Sequence, residues 1–286
     1  MENLLEYRDV SKVFRIGGML RGKKMTAVDE VSFAIGKDKP VIMSIVGESG
    51  CGKTTMCKML LRIYPPDRGQ ILMNGVDITD KKRYTKDQFY DEIQPIFQNP
   101  FEAFSMRKRV DSYLLNTALH SGGGRSAADA KNIMDETLKS VGLSLSLIEG
   151  KFAAQFSGGE LQRVSIARAL ITRPKVIVAD EAISMLDVAV RAVIMNILLD
   201  FKEQLGISTI FITHDLSVTE YICDRVAVMY LGRVVELCRS EDLFANNLHP
   251  YTEALLSAIP VADLDKRSNR VVLEGDVPSP VNPPAG

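Results

Sequence analysis

Apolar and polar positions alternate from Leu4 to Val10 and again from Val28 to Ile35, the period of strands with one buried face. The two stretches predict an antiparallel β layer at the start of the chain, with Gly17, Gly18 and Gly22 marking a loop inside it. Val41-Ile42-Met43-Ser44-Ile45-Val46 is a short, mostly apolar run rich in β-branched residues and predicts a strand. Beyond it, Met56, Met59, Leu60 and Ile63 recur at helical spacing over Thr54 to Arg62. From about Pro100 to Phe156 the period is helical: Ala130, Ile133, Met134, Thr137, Leu138 and Val141 lie on one face, with Ser126 as cap and Gly142 as stop. The β/α pattern returns with Val176-Ile177-Val178-Ala179, a helix over Val188 to Gln204 and the strand Thr209-Ile210-Phe211-Ile212. This alternation predicts an α/β fold, a parallel sheet wrapped by helices and interrupted by a helical insert. After Glu236 one short helix is expected around Thr252 to Ala258, then a proline-rich close, Val277-Pro278-Ser279-Pro280-Val281-Asn282-Pro283-Pro284, read as an appended tail. No internal repeat is visible, so a single such unit is expected.

Between the strand ending at Val46 and the helix that follows stands Gly47-Glu48-Ser49-Gly50-Cys51-Gly52-Lys53-Thr54-Thr55, which fits GxxxxGK[ST]. Glycines at these positions let the backbone fold around an anion so that several N–H groups point at it, and the helix adds its positive N-terminal end. Lys53 is placed to reach the outer phosphates of a nucleoside triphosphate, and Thr54 carries the hydroxyl that a shared Mg2+ needs. Strand before and helix after are the context such a loop requires.

Composition narrows the setting. The chain has 286 residues, 46% hydrophobic and 25% charged, enough for a large core or two modest domains. Its 35 basic and 36 acidic residues leave a net charge of -1, so overall charge argues for neither nucleic acid nor an anionic membrane as partner. No apolar run nears the about 20 residues that span a bilayer, and the acidic start Met1-Glu2-Asn3 is not expected to be a signal peptide. Cys51, Cys57, Cys223 and Cys238 lack CxxC spacing and are expected to be free cytosolic thiols. Cys51 is expected to be open to alkylation until nucleotide covers it.

Two further segments carry chemistry. Lys175 to Ala179 is an apolar strand start that ends in Asp180-Glu181. A bare acid pair after a strand is often only the cap of the next helix; beside a phosphate loop, Asp180 is the metal-side acid and Glu181 the candidate general base for a water attacking the γ-phosphate. Gln155-Phe156-Ser157-Gly158-Gly159-Glu160-Leu161-Gln162-Arg163 opens a helix expected over Leu161 to Leu170 and makes a second anion-accepting N-terminus. S-x-x-E at Ser157 and Glu160 is also a plain capping box, and both readings hold at once.

The second segment resembles the LSGGQ signature of ABC ATPases, which closes over the ATP of the opposite subunit in a dimer. Four more elements match that family in order. Phe14 resembles the aromatic that stacks on adenine, with a buried strand residue as the plainer alternative. Gln98 in Phe97-Gln98-Asn99-Pro100 resembles the glutamine that touches Mg2+ and relays nucleotide state to a membrane domain. Ser184-Met185-Leu186-Asp187 resembles the D-loop that contacts the partner subunit, and His214 in Thr213-His214-Asp215 the switch histidine of the γ-phosphate. The resemblance implies a P-loop NTPase of the ABC type. Its expected layout is a β subdomain and first part of a RecA-like core over 1–99, a helical subdomain over 100–156, the second core part over 157–236 and an extension over 237–286.

Val46 to Lys53, Val226-Ala227-Val228-Met229-Tyr230-Leu231-Gly232-Arg233-Val234-Val235-Glu236, Leu248-His249-Pro250-Tyr251-Thr252 with Leu255 to Pro260, and Val277-Pro278-Ser279-Pro280 carry a narrower resemblance, to the ATP-binding subunits of oligopeptide and dipeptide importers. The run from Gln94 to Gln98 and the long loop before Ala27 resemble the second of the two paralogous subunits. Departures from the family pattern are Ala182 and Ile183 after the acid pair, Met185 in the D-loop, Glu160 for the usual glutamine, and Phe104-Ser105-Met106-Arg107 after the glutamine loop. The resemblance implies ATP and Mg2+ as cofactors. It implies as partners a second ATPase subunit (self or paralogue), two membrane permease subunits and, indirectly, a solute-binding protein, with no nucleic acid. The implied location is the cytoplasmic face of the cell membrane, bound peripherally. Nickel or oligosaccharide import, and a subunit of an asymmetric pair with weak ATPase, are the alternatives. A soluble ABC ATPase of DNA repair or translation would carry a coiled-coil insert or two ATPase units, and neither is present between Lys53 and Ser157.

Overall fold

The structure is a computed structural model and describes residues 2–17, 23–259 and 278. Gly18 and Gly22 of the expected N-terminal loop, Pro260, and Val277 and Ser279 to Pro284 of the proline-rich close lie outside the described residues. In chain order the elements begin β1 (Asn3–Ile16), β2 (Lys23–Gly36), β3 (Ile42–Val46), α1 (Lys53–Leu60), β4 (Arg68–Met73), β5 (Val76–Asp77), α2 (Lys86–Glu92) and β6 (Ile93–Ile96). Then come α3 (Val110–His120), α4 (Ala127–Ser140), α5 (Leu145–Ile148), α6 (Gly158–Leu170), β7 (Val176–Asp180), α7 (Val188–Leu205) and β8 (Ser208–Ile212). The last are α8 (Leu216–Ile222), β9 (Arg225–Tyr230), β10 (Arg233–Arg239), α9 (Ser240–Ala245) and α10 (Pro250–Ser257). The chain divides into two compact units, Met1–Arg83 with Ile212–Gly286, and Tyr84–Phe211.

In the first unit β1 pairs antiparallel with β2 on one side and with β4 on the other, and β5 returns on β4. Alternation puts Leu5, Tyr7, Phe33, Ile35, Ile71 and Met73 into the core, where Tyr7 and Phe33 stack with ring centroids 4.5 Å apart. The β layer expected from the first forty residues is thus completed by two strands, β4 and β5, from beyond the phosphate loop. All five residues of β3 are buried; the strand pairs parallel with β9, in register Val46 with Val228, and β9 pairs antiparallel with β10. α1 buries Met56, Met59 and Leu60 but stops at Leu60, so Ile63, expected on the same face, stands exposed.

The C-terminal extension is more than an appended tail. β10 continues past Glu236, a second short helix, α9, precedes α10, and α10 starts two residues earlier than expected, at a proline whose missing N–H costs a helix nothing there. Leu243 and Tyr251 from this segment share a buried cluster with Val46, Leu216, Val226 and Val228.

The second unit carries β6 parallel to β7, with β8 next to β7 in the sheet. Between residues 100 and 156 the described residues form helices and no strand. α4 follows the expected pattern: Ser126 Oγ accepts from the Asp129 N–H 3.1 Å away, Ala130, Met134 and Leu138 are buried, and Gly142 ends the helix at φ 70°.

Candidate functional site

The first unit builds a cradle from β3, its loop and α1. Gly47, Gly50 and Gly52 have φ of 145°, 86° and 113°, backbone that side-chain-bearing residues avoid. At two of them space is also missing, since a Cβ on Gly47 would overlap the Met229 carbonyl oxygen and one on Gly52 the Ala27 carbonyl oxygen. Lys53 is 6% exposed and its ammonium is folded back into the loop, donating to Gly47 O at 2.6 Å and Glu48 O at 2.7 Å. The Met56 N–H closes the first turn of α1 on Gly52 O, which leaves the amides of Lys53, Thr54 and Thr55 ahead of it without an intrahelical acceptor. Ser49 and Thr54 are exposed at the loop surface and Thr55 is half-buried.

The loop is braced from three directions inside the same unit. In the turn between β9 and β10, the Gly232 N–H donates to Cys51 O at 2.9 Å and Gly232 O accepts from the Asp29 N–H at 2.9 Å. The Glu48 N–H donates to the Tyr251 hydroxyl at 2.9 Å. The Thr213 N–H lies 3.4 Å from Ile45 O, which puts the exposed His214 at the same strand end as the loop. Phe14, half-buried on β1, meets Tyr64 edge to face at 5.4 Å, and the Tyr64 N–H is bonded to Lys58 O at the end of α1.

Cys51 departs from expectation. It is 5% exposed, and burial, which outweighs the neighbouring Lys53 ammonium, pushes its thiol pKa up. A protonated, covered thiol is a poor nucleophile. Mass spectrometry of the native chain treated briefly with iodoacetamide near neutral pH is expected to find the half-buried Cys238 labelled before Cys51, without nucleotide present.

The second unit gathers the acid pair, the glutamine loop, the signature and the D-loop. Asp180 ends β7 half-buried, and Glu181 follows at φ 47°, a left-handed conformation costly for a residue with a side chain. Gln98 Nε2 donates to Glu181 Oε2 at 2.9 Å and to Ser184 Oγ at 3.1 Å. At the start of α6, Ser157 Oγ accepts from the Glu160 N–H at 3.3 Å, and Glu160 Oε2 accepts from the Ser157 N–H at 2.9 Å. The Ser157 N–H and, at 2.8 Å, the Ser157 hydroxyl both donate to Glu160 Oε2 and hold the Glu160 carboxyl below its usual range, so this acid serves as an ionised cap. A Cβ on Gly159 would lie 2.7 Å from Val190 Cγ1, so that glycine is fixed by packing, while Gly158 has room. Asp187 Oδ1 caps α7 through the Val190 N–H at 3.0 Å.

Sequence reasoning missed Gln162. It is fully buried on α6 and donates to Phe97 O at 3.0 Å and Ala182 O at 2.8 Å, tying the signature helix to the residue before Gln98 and to the residue after Glu181. It stands inside the signature segment, but the two carbonyls it holds belong to elements distant in sequence. Tyr64 and the role of Tyr251 were missed for the same reason: their partners are distant in sequence.

Comparison with known proteins matches residues 28–184 to the ABC transporter family and residues 235–286 to the oligopeptide/dipeptide transporter C-terminal region. A putative peptide import ATP-binding protein of Brucella ovis is 42% identical over 283 residues, covering 99% of this chain and 87% of that protein. The oligopeptide transport ATP-binding protein AppF of Bacillus subtilis is 41% identical over 291 residues, covering 100% and 87%. Among solved structures, the ATP-binding cassette MJ0796 in a dimeric post-hydrolysis state with ADP and phosphate superposes with a TM-score of 0.71 at 25% identity, covering 82% of this chain and 98% of that one. The fold is therefore the α/β fold of an ABC ATPase, and the chain belongs to the ABC transporter family as an ATP-binding subunit with the oligopeptide/dipeptide transporter C-terminal region.

Proposed function

We propose that this chain hydrolyses ATP to power the import of oligopeptides or dipeptides, as the second type of ATPase subunit in a head-to-tail pair bound to two permease subunits. It works at the cytoplasmic face of the membrane; no helix among the described residues is long and apolar enough to cross one. Peptide is delivered to the permease by a solute-binding protein and does not touch this chain. One observation carries the reading: the cassette pattern over 28–184 and the oligopeptide/dipeptide transporter pattern over 235–286 occur in the same chain.

In this reading ATP lies on Gly47 to Thr55, with Phe14 against adenine, and is covered by Ser157 to Gly159 and Asp187 of the opposite subunit. Glu181 accepts the proton of the attacking water, and Gln98, already bonded to its carboxylate, orients it. Lys53 and His214 stabilise negative charge on the transferring phosphoryl group. Magnesium, when bound, neutralises charge on the phosphate oxygens. The donors suit it: the exposed Thr54 hydroxyl, Asp180 and the Gln98 amide oxygen are hard oxygen ligands, and Mg2+ takes few of these beside phosphate and water. The segment 100–156, with Gln98 at its edge, receives the permease.

The test is reconstitution of the chain with its paralogue and permease subunits in lipid vesicles. ATP hydrolysis stimulated by peptide-loaded binding protein, with labelled peptide accumulating inside, is the expected result. Uptake of nickel or an oligosaccharide in place of peptide overturns the cargo while leaving the ATPase intact. Hydrolysis seen only in the mixture with the paralogue identifies an asymmetric pair.

A further inference from the structure

The Leu248 to Thr252 stretch belongs to the C-terminal region, outside the part of the chain matched as the cassette, yet it reaches the nucleotide loop. The start of α10 is pinned in place. The Glu236 carboxylate on β10 accepts from the Leu248 N–H at 2.9 Å and the His249 N–H at 3.3 Å, and His249 Nδ1 caps the helix through the Tyr251 N–H at 3.1 Å. Tyr251 is 4% exposed, and its ring packs on Tyr230 with centroids 4.4 Å apart. It shares a core cluster with Val46, the residue before Gly47, and with Leu216, two residues after His214.

Its hydroxyl takes hold of one particular peptide group. The bond from Gly47 to Glu48 is planar, so its C=O and N–H turn together. The C=O of that group accepts from the Lys53 ammonium at 2.6 Å and the N–H donates to the Tyr251 hydroxyl at 2.9 Å. Rotating the group would break both bonds at once, so the phenol fixes one of the two carbonyls, Gly47 O and Glu48 O, on which the lysine ammonium rests. Burial pushes the Tyr251 phenol well above its ordinary range, so this contact is the same at every physiological pH.

We propose that Tyr251 is a positioning residue for ATP: through the Glu48 N–H it holds the phosphate loop in its nucleotide-ready form, so the C-terminal region contributes to the affinity of the site. The inference rests on ATP lying on Gly47 to Thr55. Tyr251→Phe keeps the ring and its packing and deletes only the hydroxyl. Titration of the full chain with ATP, with EDTA present to prevent turnover, is expected to show a Kd about three- to tenfold above wild type, the effect of one lost hydrogen bond. In steady state, KM rises by a similar factor with kcat within about twofold, and amide hydrogen exchange at Glu48 accelerates in the nucleotide-free chain. A merely structural role would shift the melting temperature and leave Kd and KM unchanged. A Kd within twofold of wild type overturns the proposal, whatever the exchange rates do. Lys53→Ala runs beside it: if that variant loses ATP while Tyr251→Phe binds normally, the inference alone fails. If Lys53→Ala binds like wild type, the site itself is misplaced and the inference falls with it.

Discussion

Glu181→Gln is expected to lower steady-state ATP hydrolysis by about a hundredfold to ten-thousandfold, the range for a lost general base, while ATP binding stays within a few-fold of wild type. The structure separates the two effects. The amide has the shape of the carboxylate and presents an oxygen that can still accept from Gln98 Nε2, which lies 2.9 Å from Glu181 Oε2. The left-handed backbone at φ 47° and the Ser184 Oγ bond to Glu181 O at 2.9 Å do not depend on charge, so the loop keeps its form. What disappears is the ability to take a proton. ATP then remains bound across two subunits, and the variant is expected to elute as a dimer on size exclusion in ATP and as a monomer without it. Undiminished turnover in single-turnover assays would remove Glu181 from the role of base.

The second large effect concerns glycines that look alike in sequence. Gly50→Ala has nothing within 4 Å of the new methyl group and suffers only the strain of φ 86°, about 1–2 kcal/mol. Gly47→Ala and Gly52→Ala carry similar strain and also drive a methyl group into the Met229 and Ala27 carbonyls, backbone atoms that cannot swing aside. Overpacking typically adds about 1–3 kcal/mol. These two variants are expected to unfold at clearly lower denaturant concentration than Gly50→Ala and to lose ATP binding. Equal midpoints for all three would mean that the close approach of Met229 and Ala27 to the loop is absent in solution.

The difference between these glycines also marks the limit of what the chain reveals unfolded. The motif names all three, because each spacing is local; it does not say that Met229 and Ala27 close the space around two of them. Strands with clear alternation or continuous apolar character, such as β1, β2, β3 and β7, were legible, as was α4 with its cap. β6 was not: it has only four residues, one of them Pro95, and its place is set by pairing with β7. α9 has six residues, too few for a period, and forms against Leu243's core neighbours. In the site, loop, acid pair and signature are contiguous and therefore readable. Gln162, Tyr64 and Tyr251 act through partners on other elements, and the local sequence does not name those partners. The exposure of Cys51 was misjudged for a related reason: the loop looks open in sequence, but Gly232 and Tyr251 bring later segments onto it.

That late arrival matters for biosynthesis. The turn at Gly232 supplies an N–H to Cys51 and a carbonyl to Asp29, so a nascent chain that has not yet emerged past this turn carries the complete nucleotide motif without the contact that shapes it. Contacts so distant in sequence form slowly and only after most of the chain is available. On the ribosome the first strands and α1 must therefore wait, apolar faces incompletely covered, for the last strands of the same unit. Between translating the motif and closing it, apolar surface of these strands stays uncovered, the condition that favours aggregation of nascent chains.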